Sequence, residues 1–282
     1  MGDPGAESAP GVGSRARDRE VGSEGGLTSP TPHADVNAVL QRFSSAVQAI
    51  LGRRFVSLYL DGSLAIGGFD PDTSDIDFVV VTDGELPDEV VLALRQMHAE
   101  IAARDPAWGL QLEGSYIPRH ALQGHDPQPG KHPYIDRGGA TLEVLRHEGG
   151  YWVIHRHVLR EHGVTLAGPE ARTLIDPVGP AELRQAVLGI LRGWWTPMLA
   201  NPAHLQDAGY RCYAVLTMCR MLYTLEHATV VTKAAAARWA LTTLDDRWRP
   251  LIEQAQAASR DPDLSETIEL IRYTGDRSQA YA

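Results

Sequence analysis

Cysteine is scarce: the 282 residues contain two, Cys212 and Cys219. Both fall in an apolar run of helical spacing, so a reduced, buried pair is expected rather than a disulfide framework or a cysteine metal site. Such usage fits a cytoplasmic protein. Long apolar runs are also missing. No stretch approaches the roughly 18 residues needed to cross a bilayer, and the N-terminus lacks the basic-then-apolar order of a signal peptide, so neither membrane insertion nor export is expected. Basic residues are outnumbered, 26 Lys and Arg against 36 Asp and Glu, for a formal net charge of −10. Nucleic-acid phosphates call for basic surface, so nucleic acid is not an expected partner, whereas a cationic ligand would be attracted. There is no G-x-G-x-x-G, which removes the dinucleotide fingerprint, and Gly67-Gly68 reads as a turn.

What is present suits an ordinary globular protein, with 43% hydrophobic and 22% charged residues. The length suggests two domains. Residues 1–33 carry Gly, Ser, Pro, Glu and Arg with few bulky apolar side chains, and read as a disordered tail. From Val36 the spacing Val36, Val39, Leu40, Phe43, Val47, Ile50 and Leu51 predicts a helix that Gly52 ends. Strands are predicted at Phe55–Leu60, Ile76–Val81 and Leu110–Ile117, with a helix from Pro87 to about Arg104. The Pro-, Gly- and His-rich segment Gln123–Gly139 reads as a long surface loop or the approach to a domain boundary. Past about Gly149, helical periodicity dominates, in Leu183–Trp194, Tyr213–Leu225, Lys233–Leu244 and Leu264–Tyr273. The expected class is α+β: a small mixed-sheet domain over residues 34–149, then an α-helical bundle over 150–282.

Chemistry concentrates in Leu60-Asp61-Gly62-Ser63 and Ser74-Asp75-Ile76-Asp77. Alternate strand residues share a face, so Asp75 and Asp77 point the same way, about 7 Å apart, and can share a hard cation. Mg²⁺ suits them because it keeps several waters and takes its remaining oxygens from substrate phosphates. Gly62 lets the backbone approach such a phosphate, and Ser63 offers it a hydroxyl and an N–H at the start of a short helix, a cradle without a Walker lysine. A third carboxylate, Glu113, shares one face of its strand with Gln111 and Ser115. If that strand pairs beside Asp77, Glu113 either completes a second metal position or accepts a proton from an attacking hydroxyl. His155, His157 and His162 read as solvated, and Trp194, Trp195 and Trp239 as packing.

These residues resemble the nucleotidyltransferase superfamily of the DNA polymerase β type, marked by Gly-Ser, a spacer and Asp-x-Asp. The chain is more closely similar to aminoglycoside adenylyltransferases of the streptomycin/spectinomycin type. That likeness runs from about Phe55 to about Ala258 and includes Leu166-Ala167-Gly168-Pro169, Asp176-Pro177, Leu216-Thr217-Met218-Cys219-Arg220 and Thr232-Lys233. It implies a nucleotidyltransferase domain followed by a helical domain, with Mg-ATP and drug between them. It further implies that Asp75, Asp77 and Glu113 surround Mg²⁺, that Glu113 activates the drug hydroxyl, and that Ser63 and Ser74 contact phosphates. Arg220 and Lys233 match positions reaching the triphosphate. Three departures stand out. Asp61 occupies a position where relatives usually carry Tyr or another less charged residue. The family's streptomycin-contacting tryptophan has no match near Leu142–His147, and its acidic drug-binding position falls near Tyr210, with Asp207 close by as a substitute for binding a cationic drug.

The expected function is therefore Mg-dependent AMP transfer from ATP to a hydroxyl of an aminocyclitol or aminoglycoside antibiotic, with pyrophosphate released. The competing expectations are the same chemistry on an endogenous metabolite or protein hydroxyl, or a non-catalytic nucleotide-binding interaction protein.

Overall fold

The computed structural model describes residues 29–123, 130–139, 141–146, 149–257 and 261–282. Most of the segment expected to be a disordered tail, residues 1–28, lies outside the described residues. Thr31 is buried, and its N–H and hydroxyl donate to Asn37 Oδ1 at 3.1 and 2.8 Å, fastening the chain to the first helix.

Helix α1 (Ala34–Leu51) buries Val36, Val39, Leu40, Phe43, Val47 and Leu51 in one stripe, as spacing predicts, and stops at Gly52 with φ 52°. Strand β1 (Phe55–Leu60) and the four-residue helix α2 (Gly62–Ala65) follow. Next come β2 (Ile76–Thr82), α3 (Asp88–Arg104) and β3 (Leu112–Pro118). The third strand starts later than predicted because Pro106–Gly109 form a helical turn, capped by Asp105, that runs into it.

The segment read as a loop contains β4 (Lys131–Ile135), and β5 (Glu143–Arg146) pairs with it. Proline and glycine composition hid β4, whose hydrogen bonds come from β3 and β5 on either side rather than from any local pattern. Helix α4 (Gly149–His162) leads into β6 (Val164–Ala167), which pairs with β1. The sheet thus takes its last strand from beyond residue 149.

The sheet order is β5-β4-β3-β2-β1-β6; β2 and β3 are parallel, joined by α3, and the other pairs are antiparallel. Helices α1 and α3 cover one face, packing on Leu58, Leu60, Ile76, Phe78, Val80 and Tyr116. On the other face Tyr59, Val79, Val81 and Ile117 meet Trp152 and Leu159 of α4. Strand alternation therefore sends Asp77 out on the face that α4 partly covers.

The remaining chain is helical. It comprises α5 (Pro180–Ile190), which runs on into a π turn at Leu191–Trp195, then α6 (Ala208–His227), α7 (Lys233–Thr243), α8 (Arg249–Gln256) and α9 (Leu264–Ser278). Helix α6 is central, burying Val215, Met218, Leu222 and Leu225 against its neighbours. Cys212 and Cys219 are reduced and buried in it. Among the described residues, no helix is long and apolar enough to cross a membrane.

Candidate active site

The site begins where β1 ends. The backbone N–H of Asp61 donates to the Asp77 carbonyl at 3.0 Å, tying the following loop to β2. Gly62 has φ 53°, and a Cβ there would lie 1.8 Å from Asp77 Oδ2, so both its conformation and its surroundings require glycine. One turn of helix follows, with Ala65 donating to the Asp61 carbonyl at 3.3 Å. The Ser63 hydroxyl is buried and has no hydrogen-bond partner among the described residues. Ser74 instead accepts from the Asp70 N–H at 3.0 Å and shapes the turn leading into β2.

Three carboxylates converge above this loop. Asp75 sits one residue ahead of β2 rather than within it, and the parallel register sets Asp77 directly beside Glu113. Asp75, Asp77 and Glu113 each offer an oxygen, and these atoms all lie within 4.8 Å of one another. Burial, then the charges of Asp61, Asp75 and Glu113, push the Asp77 carboxyl up to about 8. Burial likewise lifts Glu113 to about 7, opposed by the Tyr134 hydroxyl, which donates to Glu113 Oε1 at 2.8 Å. Carboxylates crowded until they favour protons are short of positive charge. An all-oxygen set of this kind fits Mg²⁺, with Asp75, Asp77 and Glu113 as the residues that would hold it.

Positive charge stands nearby on the helical part. Lys233 opens α7, whose first turn Thr232 caps by accepting from the Ala235 N–H at 3.0 Å. Its Nζ lies 4.6 Å from the centre of the Tyr213 ring. Burial and then the charge of Arg220 lower the Lys233 ammonium to about 8, against the pull of Asp75, Asp77 and Glu113. The loop touches this helix start, since a Cβ on Gly68 would lie 2.9 Å from Thr232 Cγ2. Asp207 caps α6, accepting from the Tyr210 N–H at 2.7 Å, beside an aromatic group in which Trp194 Nε1 donates to the Tyr210 hydroxyl at 3.3 Å.

Three site residues escaped sequence reasoning. Tyr134 lay in the apparent loop. His155, expected to be solvated, is indeed 46% exposed, but it also places Nδ1 2.6 Å from Asp61 Oδ2, and its ring opens onto the cavity lined by Asp77, Glu113, Tyr134 and Trp152. Burial pulls this imidazole down, but the Asp61 carboxylate outweighs it and the net shift is upward. The third is Asp61, which the sequence marked as a departure from the family but not as a site residue, and which is only 1% exposed. A charged residue ending a buried strand was the available signal, since such a group needs a partner.

Residues 40–112 match the family model for the nucleotidyltransferase domain, and residues 173–272 match that for the aminoglycoside adenylyltransferase C-terminal domain. A spectinomycin 9-adenylyltransferase of Campylobacter jejuni is 25% identical over 232 residues, spanning 76% of this chain and 81% of that protein. An aminoglycoside (3'') (9) adenylyltransferase of Shigella flexneri is 26% identical over 233 residues, 80% of this chain and 86% of that one. In three dimensions the fold resembles the crystal structure of spectinomycin adenyltransferase AAD(9) from Enterococcus faecialis with ATP and spectinomycin. The TM-score is 0.68 at 18% identity, covering 86% of this chain and 98% of that one.

Proposed function

We propose, because this chain belongs to the aminoglycoside adenylyltransferase family of nucleotidyltransferases, that it transfers AMP from Mg-ATP to a hydroxyl of an aminocyclitol or aminoglycoside antibiotic and releases pyrophosphate. The observation that carries this reading is the convergence of Asp75, Asp77 and Glu113 within 4.8 Å beside the phosphate-type loop. Mg²⁺ held there would neutralise charge on the transferring phosphoryl group. Gly62 leaves room for the phosphates, the Ser63 hydroxyl and N–H bind them, and Ser74 shapes the approach to Asp75. Arg220 and Lys233 bring positive charge to the triphosphate from the helical part. Glu113, held by Tyr134, takes the proton of the acceptor hydroxyl as its oxygen attacks the α-phosphorus.

In this reading residues 34–149 form the nucleotidyltransferase domain and residues 150–282 the helical domain, which lends β6 to the sheet. Asp207 attracts the cationic acceptor with the carboxylate oxygen left over from capping α6. Spectinomycin is the favoured acceptor over streptomycin, because residues 142–147 carry no tryptophan. The enzyme would act in the cytoplasm, where ATP and drug meet. Incubating the protein with Mg-ATP and a panel of these antibiotics, then weighing the drugs by mass spectrometry, tests the assignment: an AMP adduct is expected, and unmodified drugs throughout would refute it.

A further inference from the structure

Asp61 belongs to the site's acidic group but stands outside the metal-binding trio, and nothing in adenylyl transfer calls for it. It stands at the head of the Gly62-Ser63 loop, 1% exposed, with its N–H on the Asp77 carbonyl at 3.0 Å and its own carbonyl accepting from Ala65 at 3.3 Å. One backbone unit thus joins the metal strand to the phosphate loop. Its side chain is a fourth carboxylate beneath a seat meant for an anion. Oδ1 is buried without a partner, and Oδ2 is paired with His155 Nδ1 at 2.6 Å. His155 comes from α4, 94 residues along the chain. Helix α4 also packs against α5 and contacts α2, so the pair links the phosphate loop to the helical part.

We propose that His155 is a positioning residue for nucleotide binding: it neutralises and anchors Asp61, keeping that carboxylate from repelling the triphosphate and from competing with Asp75 and Asp77 for the metal. The proposal rests on the adenylyl-transfer reading for the identity of the nucleotide. Deleting the imidazole leaves an uncompensated negative charge at the loop head. This weakens binding of an anion there while leaving attraction for a cation intact or increased. A purely structural role would weaken both.

Calorimetric titration of the full chain with Mg-ATP, and separately with Mn²⁺ alone, distinguishes these cases. For His155→Ala we expect Mg-ATP affinity to fall about tenfold or more with Mn²⁺ affinity not reduced. Adding Asp61→Asn to it should recover most of the nucleotide affinity, because the charge needing compensation is gone. Should His155→Ala fail to fold, His155→Asn, which keeps a hydrogen-bond donor without the charge, is expected to show the same loss and rescue. Unchanged nucleotide affinity, parallel loss of Mn²⁺ affinity, or no recovery in the double variant would each overturn the proposal. A wild-type chain that does not bind Mg-ATP would instead remove the adenylyl-transfer reading, and this proposal with it.

Discussion

Gly62 and Asp77 are in contact so close that a β-carbon on the glycine would lie 1.8 Å from the aspartate's Oδ2. The loop and β2 are therefore built as one piece, with the carboxylate occupying the space that any side chain would need. Gly62→Ala has to displace Asp77 and also adopt φ 53°, a conformation costing an alanine about 1 kcal/mol or more. The expected result is a loss of about a hundredfold or more in kcat/KM with a folded protein, measured by pyrophosphate release and circular dichroism.

Asp77 is crowded by Asp61, Asp75 and Glu113 in a half-buried position. Asp77→Asn relieves that crowding, so in EDTA the variant should melt at the same temperature as wild type or a few degrees higher. Turnover should fall by about a thousandfold or more. Added Mg²⁺ should raise the wild-type melting temperature and leave the variant's unchanged. Scanning calorimetry with and without metal checks both statements.

Tyr134 donates to Glu113 and thereby restrains the rise of its pKa. Tyr134→Phe removes that donor, so Glu113 holds its proton to higher pH. With Glu113 acting as base in its ionised form, the acidic limb of the pH–rate profile should move to higher pH by on the order of one unit, with a modest loss at the plateau. A profile unmoved by the substitution would remove Glu113 from the base role.

His98, on the sheet face that α1 and α3 cover, packs against the rings of Phe43 and Phe78, with Nε2 2.8 Å from the Tyr116 hydroxyl. Burial lowers its imidazole from 6.5 to about 4. Between those values the unfolded chain binds a proton that the folded chain refuses. Stability is therefore fully present above pH 6.5 and is lost as pH falls toward 4, by up to about 3 kcal/mol. His98→Gln, which cannot titrate, should show a flatter urea-unfolding stability across that window.

The local signals carried much of this architecture. The 3.6-residue stripe of α1, the apolar runs of β1 and β2, and the Gly-Ser and Asp-x-Asp pieces are each contained in a few consecutive residues. Sequence spacing does not place Glu113 beside Asp77; the parallel register of β2 and β3 does, and that register depends on α3 crossing between them. Tyr134 sits in a strand whose own composition says loop and whose pairing is supplied by its neighbours. His155 meets Asp61 only because α4 folds back over the sheet, and no pattern in α4 marks that one histidine among three. The legible parts are those set by local geometry, and the illegible ones are side-chain meetings made by tertiary packing.

The central claim is that this protein moves the α-phosphorus of ATP onto an antibiotic hydroxyl. ATP labelled either at the α- or at the γ-phosphate, incubated with Mg²⁺, spectinomycin and the wild-type protein or its Asp77→Asn variant, tests it most directly. Label is expected in the drug from α-labelled ATP with wild type only. Label transferred from the γ-position, or none transferred from either, would contradict the account.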